Sequence, residues 1–418
     1  MLQRIYEDPD RVRHLLADPL GTHISSFVAV ELDEGFMPLT LQAHLRTLGR
    51  FNHWMQDHAV SLSTLAEEHI ERFLYDRNPR SSRDRGRFRS VLSRFLDHLR
   101  ASGVAPPARR EATRHRLTAI ERLVDQFTGY LIHERGLSRW TIVRYRSLIQ
   151  ECLTKHCGPQ ASLASVKQLQ PGDVSTWVRE TAHDRGPGRA RDLVSALRAF
   201  FRWLEARGFA APTLTAAVPT VATWRLRTVP PVLTPCEVKR VLRTCNRRTA
   251  MGRRDYAILI VLARLGLRAG EIVSLWLNDV DWRAGVLRVH RKGGRVDEVP
   301  MPTDVGEAVA SYIQHARPRS SERSVFLCML APHRALGHSS TVSSIVAAAL
   351  RRSGLAPTRR GAHLLRHTLA SSLLRRGAPL SEIGQVLGHR SPASTEVYAK
   401  IDIEGLRMVA QQWPGGTR

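Results

Sequence analysis

Cysteine is scarce in this chain, and acidic residues are in short supply. Its five cysteines, Cys152, Cys157, Cys236, Cys245 and Cys328, form no even framework and match no zinc-ligand spacing. That argues against a disulfide-stapled secreted fold. The run "CLTKHC" at 152–157 encloses His156, yet no second ligand pair follows, so buried free thiols are the expectation and a metal is not. Thirty-eight Asp and Glu face sixty-three Lys and Arg, a net charge of +25 that draws polyanions before any specific contact forms. Nucleic acid is the leading partner. A membrane surface would attract the same charge, but no run of eighteen apolar residues exists and "MLQRIYEDPDRVRHLLADPLG" lacks the apolar core of a signal peptide. The expected location is the cytoplasm, on the nucleoid, with no membrane partner.

What is present is 418 residues, 43% of them hydrophobic, enough for two or three domains with cores of their own. Two Pro-rich, aperiodic stretches, 101–115 and 211–235, read as linkers and divide the chain into blocks 1–112, 113–220 and 221–418. The first two blocks resemble each other. "TLQAHLRTLGRFNHWMQDH" from Thr40 overlies "TIVRYRSLIQECLTKHCGP" from Thr141 at an offset of 101, and "SVLSRFLDHLRASGVAPP" from Ser90 overlies "SALRAFFRWLEARGFAAP" from Ser195 at an offset of 105. Each block reads as a bundle of roughly four helices, with apolar residues three and four apart such as Val91, Leu92, Phe95, Leu96 and Leu99. Two basic helical modules in tandem suit a protein that grips DNA at two places.

Beyond residue 232 the pattern changes. Thr234, Pro235 and Glu237 form a helix start, and "RRDYAILIVLARLG" continues as a largely buried helix closed at Gly266. In "DVDWRAGVLRVHRKGGRVDEVPMP", Val286, Arg288 and His290 alternate against Leu287, Val289 and Arg291 ahead of a Gly-Gly turn, the pattern of a hairpin. Helices then resume.

The segment "HLLRHTLASSLLRRGAPLSEIGQVLGHRSPASTEVYAK" concentrates phosphate-seeking groups. His363, Arg366 and His367 stand at i, i+3 and i+4 on one helical face. Gly388 stops a helix and leaves His389 in a turn; Ser391 and Pro392 should open a new α-helix with Tyr398 on its second turn. Upstream, Arg268 lies beside a helix start in "LGLRAGEI", and Lys292 rides the hairpin turn in "RKGGR". No carboxylate pair or metal box accompanies these groups, so chemistry would work through fixed cations and hydrogen-bond donors, without a cofactor. Guanidinium forks match the non-bridging oxygens of a phosphodiester, and a phenolate is both a nucleophile and a leaving group.

These residues carry a resemblance. "GLRAGEI" (Arg268, with Glu271 in the acidic position), "RKGGR" (Lys292), "HLLRH" (His363, Arg366), "LGH" (His389) and "VYAK" (Tyr398) fill, in order over about 130 residues, the signature of the tyrosine recombinase, or phage integrase, family. The chain departs from it where Arg291 replaces the Gly that precedes the hairpin Lys. The resemblance implies a mainly α fold with a small β-sheet: tandem SAM-like helical DNA-binding modules, the first an extra copy, followed by an α+β catalytic domain. It implies that Arg268 and Arg366 clamp the scissile phosphate and that Lys292 protonates the departing 5′ oxygen. His389 would hydrogen-bond the phosphate, His363 manage the tyrosine's proton, Tyr398 attack to form a 3′-phosphotyrosyl link, and Glu271 orient its neighbours, while His367 is structural. The implied partners are double-stranded DNA, other copies of the chain in a tetramer, and accessory DNA-bending or partner recombinase proteins. Arg144, Arg146, Arg191 and Arg198 are candidate backbone contacts. The tail "IDIEGLRMVAQQWPGGTR" either docks on a neighbouring protomer or packs on its own domain. The expected activity is site-specific recombination for a mobile element, with a type IB topoisomerase or a catalytically silent DNA-binding regulator as alternatives.

Overall fold

The computed structural model describes residues 20–79, 81–107, 118–137, 139–158, 162–210, 212–221, 230–291, 294–389, 391 and 394–401. Lys292, Pro392 and the tail from residue 402 lie outside them. Among the described residues the chain is mainly helical with one three-stranded sheet. It divides into two compact units, Ala108–Arg225, and Met1–Pro107 together with Leu226–Arg418.

The N-terminal block folds as α1 (Gly21–Asp33), α2 (Pro38–Asp57), α3 (Glu67–Arg77) and α4 (Ser82–Ala101). The Ser81 hydroxyl caps α4 by accepting the Asp84 N–H at 3.1 Å. Val91, Leu92, Phe95, Leu96 and Leu99 then fall on one buried face, with Phe95 edge-on to Phe27 at 5.1 Å. Glu31, fully buried, is held by His44 at 2.8 Å and Arg94 at 3.2 Å, so its charge is paired where water cannot reach it. This block meets the C-terminal one through the Glu34 carbonyl, which accepts the His333 N–H at 3.4 Å, and through a Glu34 to Arg334 ion pair at 3.8 Å.

The second unit contains α5 (Ala119–His133), α6 (Arg139–Cys157), α7 (Leu163–Lys167), α8 (Pro171–Ala206) and α9 (Pro212–Ala217). Gly186, at φ +79°, breaks α8 into two helical halves ahead of Pro187, a site where a non-glycine residue would be strained. The internal repeat has a structural counterpart: α2 and α6 open at Pro38 and Arg139, and α4 and α8 close at Ala101 and Ala206, at the sequence offsets of 101 and 105. Phe127, Phe200 and Trp203 centre the second core as Phe27, Phe51 and Phe95 centre the first.

The C-terminal block holds α10 (Pro235–Arg243), α11 (Ala250–Leu265), α12 (Ala269–Val273), α13 (Thr303–His315), α14 (Ser339–Arg352), α15 (His363–Arg375) and α16 (Leu380–Leu387). The expected capping of α10 is present, with the Glu237 N–H donating to the Thr234 hydroxyl at 3.2 Å and the Thr234 N–H to the Glu237 carboxylate at 2.7 Å. Helix α11 buries Ile258, Leu259, Ile260, Val261 and Leu262 in succession, each side chain contributing about 1.5–3 kcal/mol. It is therefore the post around which the block packs. Strands β1 (Val280–Asp281), β2 (Val286–His290) and β3 (Val296–Pro300) form an antiparallel sheet in chain order, Leu287 opposite Val299 and Val289 opposite Asp297.

One element differs from expectation. Tyr398 does not ride an α-helix opened at Ser391; it lies on a 3₁₀ helix, Glu396–Ile401. The Tyr398 N–H bonds back to the Thr395 carbonyl, three residues earlier, at 2.9 Å, and the Thr395 hydroxyl is itself engaged by His389 at 2.7 Å.

Candidate active site

Arg268 is the N-cap residue of α12, where its backbone N–H and its Nη1 each reach the Glu271 carboxylate at 2.8 Å. The other Glu271 interaction is with Arg291, whose Nη1 lies 2.8 Å from Oε2. One buried carboxylate thus bridges two arginines. Burial alone would raise the Glu271 pKa, but the hydrogen bonds from Arg268 and the charges of Arg291 and Arg268 hold it below the usual carboxylate range. Arg268 keeps part of its guanidinium exposed, whereas Arg291 is buried and also paired with Asp297 at 3.1 Å.

Arg366, on α15, donates from Nη1 to the Gly266 carbonyl and from Nη2 to the Leu387 carbonyl, both at 2.6 Å. Those carbonyls close α11 and α16, each ended by a left-handed glycine, Gly266 and Gly388. A cation at two helix C-termini is well placed electrostatically. Burial, then the charge of Arg268, lowers its pKa to about 10, so it stays protonated at neutral pH. Two of its five N–H donors are spent on the fold; the rest remain for another acceptor.

Gly388 is constrained on two counts. Its φ is +62°, and an added Cβ would sit 2.7 Å from Arg291 Cζ. Gly388→Ala should cost about 1–2 kcal/mol from backbone conformation, plus the displacement of Arg291 from its two carboxylates. An earlier urea midpoint at unchanged slope checks this, and an unmoved midpoint contradicts it.

His389 Nδ1 lies 2.7 Å from the Thr395 hydroxyl, which leaves Nε2 for a ligand. His363 opens α15 with an exposed side chain. Burial and the charges of Arg366, Arg268 and Arg291 push His389 down to about 4, and the surrounding protein with Arg366, Arg268 and Arg359 lowers His363. Both imidazoles are neutral at neutral pH. Tyr398 is 1% exposed, packed with Ala370, Ile383 and Leu387. Burial raises the pKa of its phenol, and Arg366 and Arg268 oppose that shift. The Tyr398 ring stacks parallel to His389 at 6.5 Å between centroids. Its hydroxyl is bonded to His367 Nδ1 at 2.9 Å, a contact missing from the expectation that His367 is structural.

The geometry therefore gathers Arg268, Glu271, His363, Arg366, His389 and Tyr398; Lys292 lies outside the described residues. Arg291 and His367 join them unforeseen. The signal for Arg291 was its phase: it follows Leu287 and Val289 on the inward side of the strand pattern, where an arginine needs a buried acidic partner. Of the candidate DNA contacts, Arg144 pairs with Asp192 at 3.1 Å and Arg146 with Asp125 at 2.7 Å. Arg191 and Arg198 bond backbone carbonyls at Pro187 and Val218. His156 stacks on Trp177 at 4.9 Å, and burial raises the Cys152 thiol pKa. Among the described residues no group of three His, Cys, Asp or Glu is arranged to hold a metal, and no helix is long and apolar enough to cross a membrane.

Residues 231–404 match the phage integrase family, and residues 124–208 match the phage integrase N-terminal SAM-like domain. A Sinorhizobium fredii protein named as an integrase/recombinase, y4rA, is 38% identical over 400 residues, 95% of each chain. Tyrosine recombinase XerD of Pseudomonas putida is 31% identical over 311 residues, 70% of this chain and 98% of that one. In fold, the chain is similar to XerH site-specific recombinase bound to palindromic difH substrate, with TM-score 0.55 and 16% identity, covering 70% of this chain and 85% of that one. It is likewise similar to the lambda integrase tetramer bound to a Holliday junction, with TM-score 0.52 and 15% identity, covering 81% and 91%. With 38% identity to y4rA across nearly its full length, the chain belongs to the phage integrase family, the tyrosine recombinases.

Proposed function

We propose that this protein is a site-specific DNA recombinase that cuts and rejoins duplex DNA through a 3′-phosphotyrosyl intermediate on Tyr398, acting as a tetramer on DNA for a mobile element. The observation that carries the reading is a buried phenol hydrogen-bonded to His367 at 2.9 Å and stacked beside His389, in a site where the charges of Arg366 and Arg268 favour its ionised form. Arg268 and Arg366 neutralise the non-bridging oxygens of the scissile phosphate as charge builds. His389 donates to the same oxygens from Nε2. Glu271 fixes the Arg268 fork, and Lys292 protonates the departing 5′ oxygen. Because one phosphoester replaces another, the exchange is near neutral in energy and needs no ATP.

The test uses two differently labelled duplexes carrying the DNA that borders the protein's own gene, incubated without ATP and with EDTA. Recombinant strands and detergent-resistant protein–DNA adducts are expected. Relaxation of a supercoiled plasmid at high dilution with no strand exchange would instead indicate a type IB topoisomerase. DNA binding with neither product would indicate a silent regulator.

A further inference from the structure

The family resemblance assigns the nucleophile's proton to His363, but the structure gives Tyr398 a different neighbour. Among the described residues, the Tyr398 hydroxyl is hydrogen-bonded to His367 Nδ1, at 2.9 Å. The two rings lie 5.6 Å apart and tilted by 59°, so they meet through the hydroxyl and the ring nitrogen and do not stack. His363 stands one helical turn away, its ring 6.3 Å from that of His367. Tyr398 is 1% exposed, so with His367 in place its proton is shielded from solvent bases.

We infer that His367 is a catalytic residue, taking the phenolic proton of Tyr398 as its oxygen attacks the phosphodiester and returning it when the strand is rejoined. This rests on the recombinase reading above. In the forward step the Tyr398 O–H bond breaks, its proton moves to His367 Nδ1, and the oxygen's electron pair forms the bond to phosphorus. The bond from phosphorus to the 5′ oxygen breaks, and that oxygen is protonated by a separate acid, Lys292 in the family resemblance. In the reverse step the imidazolium reprotonates the departing tyrosine.

For this the imidazole must begin neutral with its proton on Nε2 and its lone pair on Nδ1. The first condition holds: burial, then the charges of His363, Arg359 and Arg366, push the His367 pKa down to about 4. Those groups, together with the bonded Tyr398 and the nearby His389, are the titratable and charged residues acting on it. An arriving phosphodiester brings a negative charge that offsets the arginines. Bound DNA therefore raises the basicity of His367 at the moment it is needed, and the free protein keeps its tyrosine protonated.

The experiment follows single-turnover adduct formation on a nicked duplex from pH 5.5 to 9.5 for wild type, His367→Ala and His367→Gln. Glutamine keeps an acceptor for the tyrosine hydroxyl but cannot carry the proton, so it stays informative if alanine fails to fold. Both variants should bind the duplex as wild type does and form adduct about 10²- to 10⁴-fold more slowly at pH 7. Their rates should climb roughly tenfold per pH unit as hydroxide takes over the proton, where wild type is flat, and added imidazole should restore part of the alanine variant's rate. Wild-type adduct formation reports on the recombinase reading; the ratio of variant to wild type reports on His367. A glutamine variant with wild-type rate and pH profile, or a faster one, overturns the proposal while leaving the reading intact.

Discussion

Arg366→Ala should slow strand cleavage on the order of 10²–10³-fold and also lower the stability of the fold, because one guanidinium serves both purposes. Structurally, it joins the C-terminal ends of α11 and α16 through the Gly266 and Leu387 carbonyls. Removing it leaves two enclosed acceptors without donors, at about 1–3 kcal/mol each. For activity, its charge acts on the Tyr398 phenol, and losing one preorganised cation of this kind typically costs on the order of 10²–10³ in rate. Arg366→Lys separates the contributions. A lysine retains the charge but cannot reach both carbonyls as a planar fork does, so it should melt below wild type and recover little activity. Denaturant midpoints and adduct rates measured on the same preparations check both halves; an alanine variant with wild-type stability would mean that the two carbonyls find other partners.

Tyr398→Phe should do the opposite: a total loss of chemistry with little loss of fold. The ring fills a small apolar cluster that phenylalanine fills equally well, and the hydroxyl makes its described hydrogen bond to a single side chain, His367. Stability should change by about 1 kcal/mol or less. DNA affinity should be unchanged, since the positive groups that draw the backbone are all present. An electrophoretic binding assay beside a covalent trap makes the comparison. A phenylalanine variant that still forms adduct would move the nucleophile elsewhere.

Much of this site was legible in the sequence because its parts are local. An i, i+3 pair on a helix face, an arginine at a helix N-cap and a histidine after a left-handed glycine are each defined within a few residues, and α15, α12 and Gly388 build them as expected. What could not be read depends on contacts between distant segments. His367 and Tyr398 are 31 residues apart, and only the packing of α15 against the 3₁₀ helix brings them together. Ahead of that helix His389 bonds the Thr395 hydroxyl, a contact with no local signature. Arg291 stood out as a departure from the family pattern. Its place, bonded to the carboxylate that also holds Arg268, shows that the substitution brings a second cation onto Glu271.

This bridge also bears on function. Arg291 directly precedes Lys292, and it is anchored at once to Glu271, to Asp297 and against Gly388. The base of the hairpin is therefore tied to the helix that presents Arg268 and to the turn that presents His389. A family member with glycine at this position would lack that tie.

The most direct measurement identifies the residue that carries the DNA. Adduct trapped on a nicked duplex by the wild-type protein is digested with trypsin and nuclease, and the modified peptide is sequenced by mass spectrometry. The account predicts a nucleotide joined through its 3′ phosphate to the peptide Ser391–Lys400, on Tyr398, the one tyrosine it contains. Attachment to any other residue, or through a 5′ phosphate, would contradict it.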